Sequence, residues 1–235
     1  QEVFSAFTGP VASDSLTAYF PMENRNNDTN TVLDETRPGG ILDNNGVTVG
    51  DSTDFSGTNN GASFGASIGA TDIFAGVNSG AYSFNDSFTP IVTAKQSFTS
   101  PLSFSMVVRN DQNNDFNSFI SNFNSTGDDF FVGMESRSGQ RRYEFSFDKT
   151  QETRAPNNSA IIGQFQHIVG TLDASEQVLF VDGSRVATDP GGSITSDSGI
   201  NAHIGTFGKL SGFSMTGVID DFRFYDKALS DAEVA

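Results

Sequence analysis

The chain contains no cysteine, so disulfide staples, thiolate chemistry and cysteine-type zinc sites are excluded. It contains no tryptophan and only 4 Met. Cations are scarce: 13 Lys and Arg stand against 29 Asp and Glu, a formal net charge of −16. That balance argues against a nucleic-acid binder, which needs a basic face to meet phosphates. It argues equally against binding to an anionic membrane surface. No apolar run approaches the length of a membrane span, so membrane insertion is not expected. No basic-then-apolar leader opens the chain, and Gln1 at the first position reads as a processed or excised start. The absence of cysteine fits a cytosolic protein or a Cys-free bacterial surface protein, and assigns no compartment. Charged residues make up only 18% and helix-forming Lys, Leu and Glu are few.

What is abundant is phenylalanine, with 23 copies, and glycine, with 24. Phe suits strands and packs well between two sheets. Gly, Asn, Asp and Ser supply turns. At 235 residues the chain can bury a sizeable core as one β-rich domain.

Strand signals run through most of it. "SLTAYFPME" (15–23) opens the series, and an Asn-rich stretch follows it. Residues 43 to 70 are dense in Gly, Asn, Ser and Asp and read as long loops with short strands. Then "AYSFND" gives a strand ending in a turn. "PLSFSMVVRN" sets Leu102, Phe104, Met106 and Val108 on one face. "NSFISNF" and "DDFFVGMES" follow. "RRYEFSFDK" sets Tyr143, Phe145 and Phe147 against Arg142, Glu144, Ser146 and Asp148. This period of two marks a sheet with one wet face. "FQHIVGTLD" and "QVLFVDGSRV" form a hairpin through "DASEQ", and Asp182-Gly183 opens another tight turn. "AHIGTF" and "GVIDDFRFYD" complete the set. Ser230 and Glu233 have capping-box spacing in "ALSDAEV". Short strands at regular spacing, with no long amphipathic helix, predict an all-β antiparallel sandwich or barrel. One domain over 1–235, with 1–14 as an N-terminal extension, is the economical division.

The order of these motifs resembles the laminin-G-like, concanavalin A-like jelly-roll domains of bacterial secreted proteins. The resemblance is carried by "LTAYFPME", "GAYSFND", "FQHIVGTLDASEQVLFVDGSRV" and "GVIDDFRFYDKALSDAEV", over roughly Ser15 to Val234. Phe165 stands where the family usually has Trp, and Met106-Val107 where another Trp is common. Asn85-Asp86 replaces a common Asp-Gly. The resemblance implies a two-sheet antiparallel β-sandwich and, in many members, a structural Ca²⁺ near the first and last strands.

One carboxylate gives that implication a residue. Read as a regular strand, Gly217–Tyr225 places Asp220 in line with Val218, Phe222 and Phe224. A buried carboxylate is costly unless it is paired or bound to a metal. Ca²⁺ takes six to eight oxygens. Asp220 is the first expected ligand, with Glu23 at the end of the first strand and Asp28 and Asp34 in the oxygen-rich stretch after it supplying more oxygen. The competing reading is that Asp220 accepts loop N–H bonds or pairs with an Arg.

Catalytic signals are poor. His167 and His203 each lie in a strand, where a lone His is more often structural than a base. No G-x-S-x-G elbow, P-loop or EF-hand loop is present. The Glu-x-Asp-x-x-Glu strand usual in jelly-roll glucanases is absent, as are the Arg-Glu-Leu-Arg and Gln-Ile-His motifs of alginate-lyase-like sandwiches. An enzyme is not expected. Candidate ligand-binding residues are Arg109, Arg142, Glu144 and Tyr225, since sugars are held by bidentate groups beside an aromatic ring; the alternative is an ordinary solvated sheet face. Sequons at Asn27, Asn85, Asn124 and Asn157 matter only if the source glycosylates.

The expectation is a secreted or cell-surface lectin-like module, stabilised by calcium, that binds carbohydrate without catalysis. It is expected to stand beside other domains of a larger parent protein. The alternatives are a structural or adhesion module without a sugar site, and a polysaccharide-degrading enzyme.

Overall fold

The computed structural model describes residues 16–20, 31–32, 61–63, 67–70, 81–85, 91–96, 100–112, 116–121, 130–147, 151–194, 200–205, 207 and 214–235. In chain order the strands are β1 (Leu16–Phe20), β2 (Thr31–Val32), β3 (Gly61–Ser63), β4 (Ser67–Ala70), β5 (Ala81–Asn85), β6 (Ile91–Gln96), β7 (Leu102–Asn110) and β8 (Phe116–Ser121). They continue with β9 (Phe130–Arg137), β10 (Gln140–Phe147), β11 (Gln151–Arg154), β12 (Phe165–Leu172), β13 (Glu176–Val181), β14 (Ser184–Pro190), β15 (Ile200–Ile204) and β16 (Thr216–Tyr225). Among the described residues there is one short helix, α1 (Asp231–Val234), after β16.

The strands form two antiparallel sheets. Sheet A runs β14-β13-β12-β7-β16-β5-β4, with β1 also paired to β16. Sheet B runs β11-β10-β9-β8-β15-β6-β3-β2. The expected β-sandwich is therefore what the chain forms. The alternation read from "PLSFSMVVRN" and "RRYEFSFDK" sets the two inner faces. Phe104, Met106 and Val108 of β7 meet Val132 and Met134 of β9 and Tyr143 and Phe145 of β10 in one buried core. Edge-on phenylalanine pairs stitch the sheets: Phe104 to Phe145 at 5.0 Å between centroids and Phe130 to Phe224 at 6.0 Å. Such edge-to-face pairs place positive ring edges on negative ring faces.

Phe104 reaches this position because its register partner on β12 is Gly170. A Cβ there would lie 2.1 Å from the Phe104 ring. The ring occupies the room a side chain would need, so the core at this point admits only glycine.

The tight turns follow the sequence reading. Asp182 (φ 50°) and Gly183 (φ 74°) both adopt positive φ between β13 and β14, as a primed two-residue turn requires. Ser138 and Gly139 do the same between β9 and β10. At α1, the Glu233 carboxylate accepts hydrogen bonds from the Ser230 backbone N–H at 2.9 Å and from its hydroxyl at 2.8 Å, closing the predicted capping box.

One register expectation fails. Asp220 does not share a face with Phe222 and Phe224. Asp220 pairs with Val107 and Arg223 with Ser105, so three steps along β16 match two along β7. This β-bulge reverses the alternation. Val218 and Asp220 lie on the outer face of sheet A, while Phe222 and Phe224 turn into the core. The carboxylate is therefore never in line with the aromatic core.

Candidate functional site

The outer face of sheet B is built by the period of two. Register alone places three rows across it. Phe116 of β8, Glu135 of β9 and Arg142 of β10 form the first; Ser118, Gly133, Glu144 and Arg154 the second; Ser121, Phe131, Ser146 and Glu152 the third. The face is less wet than the alternation predicts: Ser118, Ser121, Phe131, Glu135, Glu144 and Ser146 are buried, Phe116, Arg142 and Arg154 half-buried, and Glu152 exposed. The primed turn at Ser138-Gly139 fixes the offset between β9 and β10, and that offset sets Arg142 opposite Glu135.

Aromatic rings gather at one side of this face. Phe116 stacks on Phe131 at 4.6 Å with 19° between planes, and Phe207, just after β15, sits edge-on to both. The Phe131 ring lies over Gly133, where a Cβ would meet it at 2.2 Å. Phe131 is buried; Phe116 and Phe207 are half-buried.

The polar groups beside the rings form one connected network. Arg142 donates from Nε and Nη2 to Oε2 of Glu135 at 3.1 and 2.8 Å. Arg137 pairs through Nε with the other oxygen of Glu135. Arg154 donates from Nε to Oε2 of Glu144 at 3.1 Å, stands 3.7 Å from Glu135, and pairs through Nη2 with Glu152. The carboxylates lie deep, with side-chain exposures of 2% for Glu135 and 5% for Glu144. The guanidinium groups lie above them, at 27% for Arg142, 32% for Arg154 and 76% for Arg137. Burial pushes the Glu144 carboxyl above the usual carboxylate range, opposed by the hydrogen bond and charge of Arg154. Burial works against the Arg154 charge, but Glu144, Glu152 and Glu135 outweigh it and hold its pKa above the ordinary value.

Of the residues expected from sequence, Arg142 and Glu144 are here together. Arg109 is not. It lies on β7, on the opposite outer face, where it holds Asp111 through Nε at 2.7 Å and Nη2 at 2.9 Å and stands 5.1 Å from the Phe165 ring centroid. Tyr225 is not on this surface either. It is 1% exposed in a small second core with Val169, Val178, Phe180, Leu229 and Val234, under α1. The bulge of β16 sets its outward direction, and the C-terminal turn covers it.

Asp220 is 4% exposed. Its neighbours on that face include Val107 across the strand pair and Arg223 beyond the bulge. Glu23, Asp34 and Asp28 lie outside the described residues, and no group of three or more metal-ligating side chains occurs among the described ones. The register Phe20↔Phe222 brings the end of β1 to within two residues of Asp220 along β16.

The same face holds His167, with Nε2 2.7 Å from the Ser105 hydroxyl. That distance suits a nucleophile and its base, yet both residues are over nine-tenths buried. Burial, with the charge of Arg223 second, drives the imidazole pKa down to about 3. A neutral, enclosed imidazole is a packing element here, as a strand His usually is.

The network members missed in the sequence are Glu135, Arg137, Glu152 and Arg154, with the three rings. Glu135 was legible: Phe130, Val132 and Met134 alternate with Phe131, Gly133 and Glu135. Arg154 was not, because "QETR" carries no apolar alternation to show its strand.

Comparison with solved structures finds this fold repeatedly. Domain 4 of the extracellular arabinanase AbnA from Geobacillus stearothermophilus, solved in complex with arabinotriose, is 14% identical, with a TM-score of 0.58 over 94% of this chain and 96% of that one. A heptameric SAP-like pentraxin from Limulus polyphemus is 17% identical, with a TM-score of 0.54 over 65% of this chain and 78% of that one. The Trypanosoma rangeli sialidase in complex with sialic acid is 12% identical, with a TM-score of 0.61 over 95% of this chain but only 32% of that one. At these identities the likeness is one of fold. No curated protein matches the chain in sequence. Residues 83–235, well over half of the chain, match the family described as the concanavalin A-like lectin/glucanases superfamily, and the chain belongs to it.

Proposed function

We propose that this protein is a non-catalytic carbohydrate-binding module, secreted or displayed at a cell surface as part of a larger protein, which takes its glycan on the outer face of sheet B. The observation that carries the reading is the juxtaposition of half-buried rings at Phe116 and Phe207 with the Glu135–Arg142–Arg154–Glu144 network. Rings offer a flat apolar surface to sugar C–H groups, and locked guanidinium and carboxylate groups offer hydrogen bonds of fixed direction to hydroxyls. The arabinotriose and sialic acid complexes of fold neighbours support carbohydrate as the ligand class.

Against catalysis, each deep carboxylate of this network is engaged by arginine. Glycoside hydrolysis needs one carboxyl group free to give up a proton and another free to meet the sugar or a water.

Calcium belongs to this proposal as a stabiliser. Asp220, with Glu23, Asp28 and Asp34 from the segment after β1, would hold it, and the Phe20↔Phe222 register supports that grouping. Ca²⁺ would supply charge neutralisation and loop order.

The test is a screen against a broad panel of glycans and soluble polysaccharides, in calcium and in EDTA. The Phe116→Ala and Glu144→Gln variants are run beside the wild type, with melting curves as folding controls. Binding weakened in folded variants supports the assignment. Binding unchanged in both moves the site off sheet B. No binding at all favours a structural module without a sugar site.

A further inference from the structure

Resting on the carbohydrate reading of this face, we infer that the glycan recognised there is anionic, its sugars carrying carboxylate or sulfate groups that meet the guanidinium layer of Arg137, Arg142 and Arg154. The argument is one of layering. Among the described residues, three arginines and three glutamates share the face and balance in charge, within a chain whose net charge is −16. The balance is not distributed evenly in depth. Glu135 and Glu144 are sunk against the sheet, while the arginines stand above them. Glu152 stands level with Arg154, at 36% against 32%, so Arg137 and Arg142, above Glu135, are the guanidinium groups that stand ahead of the carboxylate that holds them.

The buried carboxylates orient those groups. Glu135 holds Arg142 through Nε and Nη2, and Glu144 holds Arg154 through Nε. Among the described residues, Nη1 of Arg142 and of Arg154 makes no hydrogen bond. Arg137, paired with Glu135 through Nε, is the most exposed of the three, at 76%. A planar guanidinium held from behind is pre-organised for a carboxylate or sulfate arriving from solvent. A neutral hydroxyl would use the same donors without bringing an opposite charge to them.

The experiment uses polygalacturonate, its carboxyl-reduced neutral counterpart, dextran sulfate and plain dextran, titrated into the full chain by calorimetry. Variants are Arg137→Gln, the exposed and structurally mild one, Arg142→Gln, and Arg185→Gln on β14 as a distant cationic control. The expected result is binding to polygalacturonate that disappears on carboxyl reduction and falls about tenfold in each sheet B variant. It should weaken as salt rises and be unchanged in Arg185→Gln. Binding of dextran sulfate but not dextran, with the same variant profile and no polygalacturonate binding, supports the anionic reading and assigns sulfate. Equal binding of polygalacturonate and its reduced form overturns the anionic inference while leaving the carbohydrate reading standing. Equal loss in Arg185→Gln shows diffuse attraction and overturns the site. No binding to any of the four overturns the inference. A negative result with the broad glycan panel as well would take the carbohydrate reading with it.

Discussion

Acid should loosen this fold through one buried imidazole. His167 sits on β12 against Ser105 and near Arg223, and its pKa is about 3 in the folded protein against an ordinary value of 6.5. The unfolded chain therefore takes up a proton near pH 6.5 and the folded one only near pH 3. Between these values the unfolded state binds more protons, so stability falls as pH falls; above pH 6.5 the contribution is fully present. The whole window is worth at most about 5 kcal/mol, at roughly 1.36 kcal/mol for each pH unit of the shift. Between pH 7.5 and pH 5.0, before most carboxylates titrate, linkage gives a loss of about 2 kcal/mol. The perturbation is His167→Gln, which keeps a hydrogen-bonding partner for Ser105 but does not titrate. Urea unfolding of both proteins at the two pH values measures it. The wild type should lose about 2 kcal/mol more than the variant. Equal losses, or a His167 ring proton titrating near pH 6.5 in the folded protein, would refute the reasoning.

Other expectations are independent of this one. Gly170→Ala should cost about 1–3 kcal/mol, because its methyl would meet the Phe104 ring; a melting temperature within a degree of wild type would contradict the packing. Glu233→Ala removes the capping box and the pairing with Lys227, and should cost about 1 kcal/mol in urea unfolding, with the fold intact. EDTA should lower the melting temperature and added calcium restore it, since a metal held only by the folded state stabilises it by mass action. A melt indifferent to both would leave Asp220 to its protein partners alone.

The fold was legible because its core strands alternate cleanly. "PLSFSMVVRN" and "RRYEFSFDK" announce which side faces the core, and the Asp182-Gly183 turn announces a hairpin. The register of β16 was not legible. Nothing in "GVIDDFRFY" marks the extra residue, yet that residue decides which face Asp220 takes. A period-two reading carries no information about bulges, because the bulge is set by how two strands pair. Half of the candidate site was legible for a related reason. Arg142 and Glu144 share a strand, so alternation groups them. Arg109 and Tyr225 were grouped with them by residue type, and only sheet order shows that they lie elsewhere.

The buried acid–base network bears on function because it is poorly explained by stability. Burying Glu135 and Glu144 carries a desolvation cost that ion pairing offsets only in part, and an apolar surface in their place is often as stable or more so. The outer face of sheet B already shows an apolar solution in its Phe116–Phe131 stack, with Phe116 directly opposite Glu135. A sheet face that can be covered by phenylalanine, yet sets carboxylates beneath arginines beside it, has those arginines fixed in direction. Fixed direction matters little to a folded core and a great deal to a ligand. Glu144→Gln therefore separates the two roles. If the network serves stability, the variant should unfold more easily and bind any glycan as before. If it positions Arg154, the variant should melt close to wild type and lose affinity, and a variant that melts lower with binding unchanged would overturn the positioning argument.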